Sequence, residues 1–250
     1  MDLTAGTLGL LVLAGFAGGA INAAVGSGTL LVYPVLLAAG IPPVAANGTN
    51  TTGLAPGSFL AAWAYRQELA DRLRILVKPL IAAVIGAAIG AVLVVAMPAR
   101  VFTSLVPWLV ALATVLIAVQ PLVSRWAKAH REPGEHLLWP WTGAVGVYGG
   151  YFGAAQGVML MAVLGVRYDP STQRANGAKN LLAASANVTA AVVFAASGAV
   201  VWLAALAVAL GSIPGGYVGG RLARRLPNYV LRAMVVAIGI GATLYLVLHL

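Results

Sequence analysis

The sequence predicts an all-α polytopic membrane protein with two inverted-topology repeats, each a broken re-entrant helical hairpin followed by three transmembrane helices. Composition is the first observation. Hydrophobic residues make up 61% of the 250 residues and charged residues only 8%, whereas a soluble domain carries about 25% charge. The second observation is that the apolar runs are long and do not alternate with polar residues, which favours helices over the strands of a membrane barrel. The third is an internal repeat.

The repeat is visible when the chain is aligned with itself at an offset of 129 residues. The offset aligns Gly28 with Gly157, Asn47-Gly48 with Asn176-Gly177, and Pro98 with Pro227. Small residues coincide by chance in such a composition, so the Asn-Gly pair and the proline are the strongest matches. We therefore divide the chain into a first transmembrane repeat (residues 1–123), a basic cytoplasmic linker (124–136) and a second transmembrane repeat (137–250).

Each repeat contains one apolar segment that is too short to cross a bilayer. A spanning helix needs about 20 residues, and Leu30–Ala39 and Val158–Val166 fall well short of that length. Each follows a glycine-containing break, at Val25–Thr29 and at Phe152–Gly157, so we expect half-helices that fold back inside the membrane. The other predicted segments are Thr7–Ala24, Thr51–Tyr65, Ile75–Ala96, Phe102–Val123, Leu137–Phe152, Asn180–Ala196, Val200–Gly220 and Tyr229–Leu250.

The basic residues set the predicted topology, because lysine and arginine collect in cytoplasmic loops. We place Arg66–Lys78 and the linker inside. If each broken segment leaves the membrane on its side of origin, the later basic residues also lie inside. Only Arg100 of the fifteen basic residues then lies outside. The prediction is inverted repeats with both termini in the periplasm, in the cytoplasmic (inner) membrane of a bacterium.

The polar stretch Asn47–Thr52 (NGTNTT) is costly near hydrocarbon and is therefore a candidate functional element. We expect it to open the helix after the first hairpin, as residues 176–181 would open its counterpart. Each half-helix begins with N–H groups that have no partner within the helix. Two such partly positive ends, facing the middle of the protein, favour an anion. Lys179 stands where the first repeat has Asn50, and it would add a full positive charge.

The candidate substrate-binding residues come from the breaks and from the polar stretches. They are Asn22, Ser27, Gly28, Thr29, Asn47, Thr49, Asn50, Tyr151, Gln156, Gly157, Asn176 and Lys179. Structural alternatives stay open for them. The hexapeptide could be an N-cap and turn, the break residues could satisfy freed backbone groups, and Lys179 could be a positive-inside anchor.

Structural roles are expected for several other residues. Arg174 is interpreted as an anchor, and Asn187 and Thr189 as partners of nearby backbone. We interpret two small-residue motifs, Gly86-x-x-x-Gly90 and Gly215-x-x-x-Gly219, as helix contact faces.

Catalysis is not expected, because the sequence offers neither a nucleophile with a base nor a metal triad. There is no cysteine, and the histidines show no metal-ligand spacing. No predicted span contains a carboxylate for a proton relay, and the histidines lie in the linker or, as His249, at the terminus. We therefore expect no catalytic residue, no metal and no cofactor. The net charge of +9 is assigned to orienting loops rather than to nucleic acid, since the basic residues form no compact module.

The glycine-rich first break (GGAINAAVGSGTLLVYPVLLAAG), the ANGTN that follows, and their weaker second copy (GYFGAAQGVMLMAVLG, ANGAKN) resemble the TauE/SafE, or sulfite exporter, permeases over nearly the whole chain. The resemblance implies a permease for a small sulfur oxyanion or organosulfonate, of the sulfite or sulfoacetate type, working by alternating access at a midplane site between the repeats. The first motif departs from the family at Ala23-Ala24 and Ser27. The missing cysteines argue against thiosulfate, which a related branch takes up.

Other functions stay open at this point. An anion channel, a transporter of a different small organic anion and a non-transporting assembly subunit are the alternatives. The expected partners are a small anion and the lipid bilayer, with no nucleic acid. The anion, the direction of transport, any coupling ion and the oligomeric state, a homodimer included, are left undecided by the sequence.

Overall fold

Helices account for all regular secondary structure in residues 3–130, 137–169, 171–222 and 228–249, which the computed structural model describes. The first repeat contributes α1 (Ala5–Ala24), α2 (Thr29–Ala38), α3 (Pro43–Ala64), α4 (Arg66–Leu69), α5 (Leu73–Ala96), α6 (Ala99–Ala118) and α7 (Gln120–Ala129). The second contributes α8 (Leu138–Tyr151), α9 (Gln156–Arg167), α10 (Thr172–Ala196), α11 (Trp202–Leu222) and α12 (Asn228–His249). The all-α prediction is confirmed for these residues.

Five of the described helices, α1, α5, α6, α10 and α11, are long and apolar enough to cross a membrane. By contrast, α2 and α9 have only 10 and 12 residues. At 1.5 Å per residue they cannot span a hydrocarbon core of about 30 Å. Large apolar side chains such as Ile85 and Trp108 are exposed on the outside of the bundle, where lipid tails would contact them. The protein is therefore a multi-pass membrane protein.

The first helix of each repeat packs against a long helix of the other repeat. α1 packs along α11, and its counterpart α8 packs along α5. Glycines permit the close approach. A Cβ on Gly90 would overlap the α8 backbone at Val147, and one on Gly219 would overlap the α1 backbone at Ala20. The predicted contact faces around these glycines are thus confirmed. The inverted orientation of the repeats in the bilayer stays a prediction.

The repeat alignment holds for the later helices but is wrong by two residues at the breaks. Gly26 and Gly153 both have positive φ, 84° and 76°, and each donates its N–H to the carbonyl five residues earlier. These two glycines are 127 positions apart, not 129. The difference arises because α9 is two residues longer than α2. Gln156, the first residue of α9, is consequently the structural counterpart of Thr29 rather than of Ser27.

The polar hexapeptide does not open its helix. Because α3 begins at Pro43, with Pro42 as the preceding cap residue, Asn47–Thr52 lies in the second and third turns. α10 likewise begins early, at Thr172, where the side chain of Ser171 caps it. Both the expected helix start and the N-cap alternative are therefore wrong. Asn and Thr interrupt the apolar pattern from which a helix boundary is predicted, whereas proline is well suited to the first helical position.

The predicted linker is partly helical. α7 continues across the predicted boundary at residue 123 as far as Ala129. Residues 131–136 of the linker lie outside the described part of the chain.

The two breaks lie in the core of the protein. Tyr33 of α2 meets Phe152 of the second break edge to face, with ring centroids 5.3 Å apart, and both side chains are buried. Val25 and Ala154, one from each break, belong to the same apolar cluster. This packing brings the two hairpin tips together at one place.

Candidate functional site

The two breaks touch each other through glycine. The Gly157 N–H donates to the Gly26 carbonyl oxygen over 3.2 Å, and a Cβ on either residue would overlap the other's backbone. Gly28 similarly lets the start of α2 lie against Gly18 of α1. Gly28 and Gly157, both predicted as substrate-binding residues, therefore serve close packing of the breaks.

The two half-helices differ in the hydrogen bonding of their first residue, whose backbone N–H is bonded in α9 and, among the described residues, free in α2. In α9, the Gln156 N–H bonds to Gly153 and the Gly157 N–H bonds to Gly26. In α2, the backbone N–H groups of Ser27, Gly28 and Thr29 make no hydrogen bond within the described residues. At the second break the N–H groups of Ala154 and Ala155 likewise make no hydrogen bond within the described residues, so partial positive charge is present at both breaks.

Lys179 reaches this break from the other repeat. Its side chain is 1% exposed, and its Nζ donates to the Ala23 carbonyl oxygen over 3.0 Å, at the C-terminal end of α1. Among the described residues no carboxylate forms an ion pair with it. An ammonium group has three donors, and a buried charge is costly unless it is paired. The arrangement therefore favours an anion beside Lys179.

Two asparagines of the hexapeptide reach one break each. The Asn50 Nδ2 donates to Thr29 Oγ1 over 3.1 Å, and the Asn47 Nδ2 donates to the Tyr151 carbonyl oxygen over 3.0 Å. Both side chains are buried, and both Oδ1 atoms lack a hydrogen-bond partner. Buried polar atoms are rarely left unpaired, so these two acceptors are candidates for ligand contact.

The break residues add two more unpaired polar atoms. Ser27 Oγ and Gln156 Nε2 are buried without a partner. The Gln156 amide lies over Gly149 of α8, where a Cβ would overlap it. Ser27, Thr29, Asn47, Asn50, Gln156 and Lys179 are thus brought to the meeting point of the breaks.

The structure gives the other four predicted site residues different neighbours. Thr49 accepts a hydrogen bond from the Val201 N–H over 3.0 Å, in the turn between α10 and α11. The remaining three are Asn22, which donates to Ser58 Oγ, Asn176, which donates to Tyr65 Oη, and Tyr151, whose ring packs on Phe102. Only the main-chain oxygen of Tyr151 contacts the site.

Sequence reasoning missed two groups of residues. Asn180 is buried, and its amide lies 3.5 Å from the Ala23 oxygen that Lys179 contacts. Its position at the end of the ANGAKN motif could have identified it as a candidate. Asn187 was assigned to nearby backbone, but its Nδ2 donates to Ser58 Oγ on α3, so that assignment is wrong. Thr189 does bond to nearby backbone, at Ser185. Nothing in the sequence distinguished Ser58.

Arg174 belongs to an ion-pair cluster away from the breaks. Its guanidinium contacts Asp169 at 3.5 Å and Asp71 at 3.4 Å, and Arg72 lies 3.9 Å from Asp169. The Asp169 carboxylate is buried and also accepts the Ser171 N–H over 2.7 Å. Burial raises the pKa of neighbouring Tyr168 to about 12, so that phenol stays neutral. The cluster joins the loop before α10 to the turn before α5.

Comparisons with known proteins identify a family and related membrane proteins. Residues 11–246 match the family described as "Sulfite exporter TauE/SafE". The "Probable membrane transporter protein ORF9" of a Sinorhizobium species is 26% identical over 98% of this chain and 94% of its own. A "Probable membrane transporter protein" of Haemophilus influenzae is 25% identical over 94% and 92%. "Probable membrane transporter protein YfcA" of Escherichia coli K12 is 26% identical over 92% and 86%. No solved structure matches the chain significantly.

Proposed function

The chain belongs to the TauE/SafE sulfite exporter family of membrane transporters, and we propose that its substrate is a small sulfur oxyanion or organosulfonate. The proposed binding site is the meeting point of the two breaks. Ser27, Thr29, Asn47, Asn50, Gln156 and Lys179 supply its side chains. The proposed location is the cytoplasmic membrane of a bacterium, as the relatives named above come from bacteria.

One observation carries the proposal: a fully buried lysine, with no carboxylate partner among the described residues, lies beside a helix N-terminus with free N–H groups. Lys179 and the N–H groups of Ser27–Thr29 gather at the first break, because Lys179 bonds to Ala23, just ahead of it. All of these groups donate hydrogen bonds and carry positive charge, full or partial. An oxyanion satisfies such a set, whereas a cation would be repelled.

Burial supports alternating access over a permanently open channel. Lys179 and Asn50 are each 1% exposed, and Asn47 is 0% exposed. A ligand bound there is closed off by protein, so it can leave only after the breaks or their surrounding helices move. In the proposed cycle one repeat rocks against the other around this site.

Export is the direction that the membrane potential favours. With a negative cell interior, about 2.3 kcal/mol per charge per 100 mV drives an anion outward. No coupling ion is needed for that direction, whereas uptake against the same potential requires a coupling ion or a steep inward concentration gradient of the anion.

A ligand-dependent unfolding assay on the purified full-length protein tests the proposal. We expect sulfite or a short sulfonate to raise the melting temperature, and a carboxylate of equal size to raise it less. The variant Lys179→Met should lose this shift, whereas Lys78→Met, at an exposed position, should keep it. A panel of sulfite, sulfonates, sulfate and carboxylates that leaves the parent's melting temperature unchanged would overturn the proposal.

A further inference from the structure

The candidate site contains hydrogen-bond acceptors as well as donors, and an anion alone does not satisfy both. The Oδ1 atoms of Asn47 and Asn50 are buried without a partner. The orientation of Asn47 is set, because its Nδ2 donates to the Tyr151 carbonyl oxygen, which can only accept. The Asn50 Nδ2 donates to the Thr29 hydroxyl. An amide oxygen can only accept a hydrogen bond. The Asn47 Oδ1, and the Asn50 Oδ1 in the orientation that the structure shows, therefore lack a hydrogen-bond donor among the described residues.

These acceptors lie near the cationic side of the same site. Asn50 bonds to Thr29, whose own N–H is free, and Thr29 begins the half-helix that follows Ser27. Asn47 bonds to the last residue of α8, next to the second break, and the breaks touch at Gly26 and Gly157. Donors and acceptors thus share one small buried region.

We propose that the transported anion carries a hydrogen-bond donor, a hydroxyl on its carbon chain or a proton on the oxyanion itself, in addition to its charged oxygens. The proposal rests on the anion-binding function proposed above and narrows its substrate class. Lys179, Gln156 Nε2 and the free N–H groups bind the charged oxygens. Asn47 or Asn50 accepts the substrate's hydrogen.

The expected preference for a donor-bearing anion follows from the cost of leaving buried amide oxygens unpaired. An anion without a donor would place its negative oxygens near two unpaired amide oxygens, which repel it and stay unsatisfied. A site built to hydrogen-bond a substrate hydroxyl rejects the analogue that lacks it far more strongly than an apolar pocket does. We therefore expect discrimination of at least about tenfold in affinity.

Two matched pairs of ligands test the proposal by titration of the purified full-length protein. The first pair is 2-hydroxyethanesulfonate against ethanesulfonate, which differ by one hydroxyl on the carbon chain. The second is methylphosphonate against methanesulfonate in mildly acidic buffer, where only the phosphonate keeps a proton on the oxyanion. At least one donor-bearing ligand should bind about tenfold more tightly than its partner, and the pair that discriminates locates the donor.

Variants of neighbouring residues on α3 identify the acceptors. The double variant Asn47→Ala/Asn50→Ala should lower the affinity ratio of the discriminating pair to about one, by weakening the donor-bearing ligand more than its partner. Thr49→Val is the matched control, because Thr49 bonds to Val201 outside the site, and it should preserve the parent's ratio. The comparison of ligands on the parent protein needs no variant, so it stands even if the double variant does not fold.

Each outcome bears on a different claim. Equal affinities within both pairs would overturn the donor requirement and leave the anion site standing. Absence of binding by all four ligands, by sulfite and by sulfate would overturn the anion function itself. Repeating the titrations with choline in place of sodium adds a third arm. Loss of all binding without sodium would assign the amide oxygens to a cation and overturn the proposal.

Discussion

The side chains of Ser58 on α3 and Asn187 on α10 hydrogen-bond to each other between the two repeats, with Asn187 Nδ2 donating to Ser58 Oγ over 3.1 Å. The residues are 129 positions apart, which is the repeat offset for these helices, so equivalent positions face each other. Asn22 of α1 donates to the same oxygen over 2.9 Å, and Ser58 donates to the Leu54 carbonyl oxygen. One hydroxyl thus joins three helices with its donor and both acceptor positions in use.

We predict that Ser58→Ala destabilises the protein without weakening anion binding. The change leaves the amides of Asn22 and Asn187 without their partner, at a cost of about 1–3 kcal/mol for a buried group. Ser104→Ala is the control, since Ser104 is exposed and bonds only within its own helix, to Val101. Unfolding in detergent, with and without sulfite, measures both quantities. A loss of sulfite affinity in folded Ser58→Ala would place this cluster in the binding site instead.

A second prediction concerns the close packing of α5 on α8. Gly90→Ala should destabilise the protein by about 1–3 kcal/mol, because the new Cβ would overlap the Val147 carbonyl and force the helices apart. Gly9→Ala, on α1 with no atom within 4 Å of the added Cβ, should instead stabilise it by about 0.5–1 kcal/mol. Thermal unfolding of the two variants and of the parent shows whether each substitution raises or lowers the stability. Equal stability of both variants would show that the α5–α8 contact adjusts freely.

The ion-pair cluster yields a third prediction. Asp169→Asn should cost more stability than Asp71→Asn, because Asp169 is 3% exposed and Asp71 is 58% exposed. Removing the charge leaves Arg72 and Arg174 without their buried partner, although their own partial exposure to solvent limits the loss. We expect about 1–2 kcal/mol for Asp169→Asn and under about 1 kcal/mol for Asp71→Asn. Added salt should lower the cost of Asp71→Asn. Similar losses at both positions would contradict an ordering by burial.

The inverted topology gives a fourth prediction, which labelling can test directly. The chain has no cysteine, so single-cysteine variants need no altered background. A cysteine at Ser197, at the end of α10, should react with an impermeant maleimide from the periplasm. A cysteine at Lys128, in the linker, should react only after the cell is opened. Reaction of both positions from the same side would exclude inverted repeats.

The sequence predicted the helices and the breaks because those features follow from local chemistry. Each of these predictions used a short stretch of sequence. The evidence was the apolar runs of spanning length, the two glycine-containing interruptions and the Asn-Gly repeat. The start of α3 was predicted too late because Asn and Thr side chains lower the local hydropathy. In the fold these side chains find buried partners on other elements, as Asn50 of α3 does at Thr29 of α2. The contacts of Asn22 and Asn176 depend on which helices pack together, which no local pattern contains.

Gln156 and Asn176, both predicted from sequence to bind the anion, should now respond in opposite ways to alanine substitution. Gln156 Nε2 is buried without a partner, so Gln156→Ala removes an unsatisfied donor and should leave stability unchanged or slightly higher. Sulfite affinity should fall about tenfold or more, as expected for loss of a charge-assisted hydrogen bond.

The Asn176 amide donates to the Tyr65 hydroxyl over 2.7 Å, away from the breaks. Asn176→Ala should therefore cost about 0.5–1.5 kcal/mol of stability and leave sulfite affinity at the parent value. Unfolding curves of both variants, recorded with increasing sulfite, separate the two effects in one experiment. If Gln156→Ala lost stability and kept its affinity while Asn176→Ala did the reverse, the anion would bind near α4 and the start of α10 rather than at the breaks. Gln156 and Asn176 are both polar, lie in the first two turns of a helix and come from the same repeat. The opposite effects expected on stability and on sulfite affinity therefore follow from their different hydrogen bonding.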